Sequence, residues 1–146
     1  MRTIIALSLL LASLVAIHAA GETNISGNID GKKLELAPDI QTKVIEITTK
    51  LLATCGNVSV QPKNTIQNAR RQSHLELVFT PPRKFDLAPE ERTGRAGVEV
   101  KDMVITLPVC SGGVWIESTQ FRWFCSKFDA EVCGGLNRLL GIGEAR

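Results

Sequence analysis

No tyrosine occurs in this 146-residue chain, and of its two histidines one, His18, falls within the first twenty positions. Beyond them His74 stands alone, which excludes any site that needs two imidazoles, including most catalytic zinc centres. There is no Cys-x-x-Cys, so the reactive pair of thioredoxin-type redox chemistry is missing. There is no Gly-x-Ser-x-Gly to hold a serine nucleophile on a strained turn. Ser111-Gly112-Gly113 and Gly141-Ile142-Gly143 are too short to wrap a phosphate and read as turns. No metal and no cofactor are expected from these patterns.

A strong excess of either charge is also missing. Setting aside Arg2 with the N-terminal segment, the 17 cations become 16 against 15 acids, a net charge of +1. Nucleic-acid binding draws on a clustered cationic face. Arg70, Arg71, Arg83, Lys84, Arg92 and Arg95 are interspersed with Glu76, Asp86, Glu90 and Glu91, the pattern of a solvated surface, and no nucleic-acid partner is expected.

The N-terminus carries more information. A single cation, Arg2, precedes an apolar run from Ile4 to Ile17, and the small residues Ala19 and Ala20 follow. That order predicts a secretory signal peptide over residues 1–20 with cleavage after Ala20. A membrane anchor is disfavoured because a helix needs about 20 apolar residues to cross a bilayer, and no nearby cysteine offers a thiol for lipid attachment. The expected location is secreted or periplasmic, with no membrane span after cleavage. Residues 21–36, polar and rich in glycine, predict a flexible leader, and residues 37–146 a single domain. Asn24-Ile25-Ser26 and Asn57-Val58-Ser59 are glycosylation sequons, a three-residue pattern of low specificity.

Four cysteines in an exported chain predict two disulfides. Three pairings are open, and the favoured one joins Cys55 to Cys110 and Cys125 to Cys133, because the second bridge closes a short local loop.

Ile40, Val44, Ile47, Leu51 and Cys55 recur at steps of four and three, predicting a helix from Pro38 to Cys55. Pro38 suits its first turn and Gly56 its stop. Gly56 to Ser73 reads as a loop, with a short strand near Val58–Val60. Leu75, Leu77 and Phe79 then alternate with polar positions, predicting a strand that faces the core on one side and carries His74 outward. Pro81-Pro82 should break its ladder, with a short strand Lys84–Leu87 beyond. Ala88 to Gly97 reads as an exposed loop. From Val98 to Val109 a strand pattern slips phase near Lys101-Asp102-Met103, predicting a bulge. Asp129 is placed to cap a closing helix through Leu140.

Cys110 to Cys133 holds three of the four cysteines and five of the seven aromatic residues. Within it, Val114–Glu117 and Phe121–Ser126 predict a hairpin with Trp115 opposite Phe124 and with Phe121 and Trp123 on the other face. The fold class expected is α+β: a small two-layer domain with an N-terminal helix, about five mainly antiparallel strands, a C-terminal helix and two disulfides, the helices on one face of the sheet.

The function these features favour is an exported, non-enzymatic domain that binds a protein or envelope component. Its candidate contact residues are Trp115, Phe121, Arg122, Trp123 and Phe124, because rigidly held tryptophan and arginine dominate many interfaces. Two alternatives remain. One is a small secreted hydrolase using His74 with a carboxylate such as Glu76; a glycosidase-like pair of acids, Glu76 with Glu117 or with Asp102 nearby, is outweighed by the ordinary reading of solvated strand faces. The other is a purely structural envelope component whose aromatics are all buried.

Overall fold

The computed structural model describes residues 21–87 and 95–143. The expected signal peptide and most of the loop expected from Ala88 lie outside them. Strands β1 (Glu22–Ile29) and β2 (Lys32–Lys33) lead to helix α1 (Pro38–Ala53), strand β3 (Ser59–Val60) and helix α2 (Lys63–Arg70). Strands β4 (His74–Leu87), β5 (Arg95–Thr106), β6 (Val114–Ser118) and β7 (Arg122–Cys125) follow, and helix α3 (Ala130–Leu139) closes the chain. All strand pairs are antiparallel, in the order β2-β1-β4-β5-β6-β7-β3. The class is α+β, with seven strands and three helices among the described residues where about five and two were expected.

The polar segment expected as a leader is the strand β1, in register with β4 from Glu22 opposite Thr80 to Asn28 opposite His74. It lies one place from the sheet edge, so only Ile25 packs against the core and the apolar alternation stays faint. Gly27 allows that approach, because a side chain there would collide with the His74 carbonyl. The expected loop after Gly56 contains α2, whose buried side, Ile66 and Ala69, is spaced three residues apart. Two apolar residues among Lys, Asn, Gln and Arg were too few to show a helical stripe.

The longer patterns behave as read. In α1, Pro38 fills the first turn beside Asp39, and Val44, Thr48, Leu51 and Leu52 are buried. The β4–β5 ladder is interrupted between Val78 and Arg83, across the two prolines, although the strand itself continues to Leu87. The phase slip in β5 is a register shift against β6 between Val100 and Asp102. Asp129 caps α3, its Oδ1 accepting from the Val132 amide at 3.0 Å.

The helices do not share one face. Helices α1 and α3 cover the side from which Leu75, Leu77, Met103, Ile105, Ile116 and Trp123 project, and this is the main core. Helix α2 packs on the reverse side, where Ile66 and Ala69 meet Val104 and Trp115. His74, expected on an open strand face, is 8 % exposed, its Nδ1 lying 2.8 Å from the Gln72 carbonyl oxygen. Its flank is closed because β1 runs beside β4 and the turn after α2 folds over the strand's start.

The disulfides join Cys55 to Cys125 and Cys110 to Cys133, correcting the favoured pairing. Sheet order explains this. After α1 the chain runs antiparallel beside β7, the Gly56 amide donating to the Lys127 carbonyl at 2.6 Å, which sets Cys55 against Cys125. Cys110, in the turn after β5, faces α3 instead. There the buried Asn137 accepts from the Val109 amide at 2.7 Å and donates to the Val109 carbonyl at 3.3 Å, fastening the same turn to the same helix.

Candidate functional site

The hairpin β6–β7 has the expected register, Trp115 opposite Phe124, Ile116 opposite Trp123 and Glu117 opposite Arg122. Its five candidate residues therefore divide between two faces and form no single surface. Trp115 and Phe124 pack against each other on the α2 side, with ring centroids 4.7 Å apart and planes tilted by 47°. Phe124 also lies over Gly113, where a Cβ would strike the ring, so both aromatics take part in packing. Arg122 is on the same side and reaches Glu117 at 3.5 Å.

Phe121 and Trp123 face the other way, with ring centroids 5.4 Å apart. Trp123 is buried, whereas Phe121 is 51 % exposed at the hairpin tip. Val60 of the edge strand β3, in register with Trp123, is 58 % exposed. These three side chains line an open cleft of about 780 Å³ at the end of the sheet. Among the described residues its remaining walls are the turn Ser118–Gln120, the stretch of β5 from Gly97 to Glu99, and Lys84 of β4. Lys84 and Glu99 are direct cross-strand neighbours, so the opposite charges on the rim are adjacent.

The turn is held in place by one buried hydroxyl. Ser118 Oγ donates to the Phe121 carbonyl at 2.6 Å and accepts from the Phe121 amide at 2.8 Å. The Thr119 amide donates to the Glu99 carbonyl at 3.2 Å, tying the turn to β5. Phe121 is thus presented on a fixed backbone, which lowers the ordering cost of any contact it makes. Sequence reading found Phe121 and Trp123 but not Val60, which joins them only through the β3–β7 pairing.

The acids weighed for catalysis lie elsewhere. On the α2 side, Arg70 Nε bonds Glu76 at 3.1 Å and its terminal nitrogen bonds Asp102 at 2.6 Å. Neither this cleft nor a second one beside Gly21, Phe79 and Pro81 includes His74, Glu76 or Asp102 in its lining. Among the described residues no group of three or more His, Cys, Asp or Glu is placed to hold a metal ion, and no helix is long and apolar enough to cross a membrane.

One guanidinium shared by two carboxylates cannot neutralise both. Burial, with the Glu76 carboxylate beside it, pushes the Asp102 carboxyl up to about 6 despite the opposing pull of Arg70. A carboxyl raised in the folded state binds its proton more tightly there than in the unfolded chain. Its stabilising contribution is full below about pH 4 and is lost as pH rises through about 6. Thermal melts of the wild type and Asp102→Asn between pH 4 and 8 should show the wild type losing ground to the variant up to about pH 6.5, then a constant difference. A wild type that gains ground over that range would mean that the Asp102 carboxyl is not raised in the folded state.

No protein-family model, curated protein or solved structure matches the chain.

Proposed function

We propose that the protein is an exported, disulfide-stabilised binding domain without catalytic function, and that its contact surface is the cleft between β3, the β6–β7 turn and the paired segments of β4 and β5. The observation that carries this reading is the placement of Val60 and Phe121, the two large apolar side chains left exposed among the described residues, on the rim of one cleft floored by Trp123. Scattered single apolar residues are ordinary on a surface, but a contiguous patch with a polar rim is the usual mark of a contact site. The binding role expected of the whole hairpin narrows to its tip and the neighbouring edge strand. Two disulfides and the absence of a membrane-crossing helix among the described residues are compatible with an extracytoplasmic location.

Immobilised wild-type protein should retain a component of its native compartment that Phe121→Ala loses at least about tenfold, with melting temperature unchanged because the side chain is half exposed. Trp115→Phe, on the opposite side of the hairpin, should retain it. Equal capture by wild type and Phe121→Ala would remove the cleft from the contact surface.

A further inference from the structure

Resting on the cleft as the contact surface, we infer that its ligand is a neutral oligosaccharide. Three features of the lining converge on that chemistry. The first is an aromatic corner. The rings of Phe121 and Trp123 meet at 58°, and the exposed Phe121 ring offers a flat face at the rim. Pyranose rings carry one face of C–H groups, which pack against an aromatic face and suit its negative quadrupole.

The second is the polar lining opposite that corner. Thr119, Gln120, Glu99 and Lys84 supply hydroxyl, amide, carboxylate and ammonium groups, a mixture of donors and acceptors matched to sugar hydroxyls, which both donate and accept. An aliphatic or membrane-lipid ligand would cover those groups without offering them hydrogen-bond partners.

The third is charge. Among the described residues the cleft's cation and anion, Lys84 and Glu99, stand directly opposite one another across β4 and β5, so these lining residues present no net charge to an ionic ligand. A volume of about 780 Å³ falls in the range of ligand sites, roughly 300–1,000 Å³, and its open side lets a chain continue beyond the bound units. The bonds between the Ser118 hydroxyl and the Phe121 backbone fix the aromatic face before binding, so affinity is not spent on ordering the turn.

Calorimetric titration of the exported form, residues 21–146, with cello-, xylo-, chito-, manno-, malto- and laminari-hexaose as separate probes tests this. At least one should bind with a Kd below about 1 mM, and Phe121→Ala should weaken it at least about tenfold with an unchanged melting temperature. Thr119→Val with Gln120→Leu, which keeps the aromatic corner and removes hydrogen-bonding groups, should weaken the same probe. Trp115→Phe should leave it unaffected. Failure of all six probes, or binding indifferent to Phe121→Ala, would overturn the saccharide assignment. If the compartment capture then still depends on Phe121, the cleft stands as a contact surface for another ligand class; if it does not, both readings fall.

Discussion

Replacing Cys55 and Cys125 together by alanine should lower the unfolding free energy by about 4 kcal/mol, and replacing Cys110 and Cys133 together by about 3 kcal/mol. The bridges span 70 and 23 residues, and closing a longer loop removes more conformational freedom from the unfolded chain. The first loss is also structural. Cys55 and Cys125 bind the end of α1 to the end of β7, and the strand beside them, β3, is two residues long. Without the bridge, Ser59 and Val60 depend on a short ladder and on the Gly56 and Gln61 amide bonds to Lys127 and Arg122. Val60 should therefore lose its place on the cleft rim before the fold as a whole is lost. In the Cys110/Cys133 variant, Asn137 still fastens the turn after β5 to α3. Urea unfolding of the two double variants checks the order; a smaller loss for the Cys55/Cys125 variant would contradict it.

Ile116→Ala should cost about 3 kcal/mol, within the range of roughly 2–5 for truncating a buried isoleucine to alanine. Ile116 is fully buried on β6, the first strand of the hairpin and the third from the β3 edge of the sheet, with Met103 and Trp123 as its direct cross-strand neighbours. Both neighbours are held by strands on either side, so the space left by the removed atoms cannot close fully. The Trp123 ring, which floors the cleft, should shift toward the gap, and tryptophan emission should report that shift. A loss below about 1 kcal/mol would mean that the side chain is not enclosed as described.

The elements with sustained periodicity were legible in the sequence: α1 from its stripe of Val44 and Leu51, the core face of β4 from Leu75, Leu77 and Phe79, and the hairpin register from the spacing of Trp115 and Phe124. Those that depend on long-range pairing were not. β1 presents one inward isoleucine next to a sheet edge, and α2 buries two small or medium side chains, so neither carries enough apolar residues for a local pattern to stand out. Cysteine pairing followed sheet order, and nothing local in the sequence announces that the chain after α1 returns beside β7. The site was half legible for the same reason. Alternation along the hairpin separates Trp115 and Phe124 from Trp123, but which face stays open depends on α2, which read as loop. His74 changed from a surface residue to an enclosed one through the pairing of β1 that its own neighbours do not reveal.

The claim that binding occurs through the cleft is tested most directly by mapping amide shifts in the labelled protein as the concentrated soluble fraction of its native compartment is added. Binding through the cleft should confine the changes to Val60, Lys84, Gly97 to Glu99, Ser118 to Phe121 and Trp123. Changes centred on Trp115, Phe124 and α2, or no change at saturating extract, would contradict it.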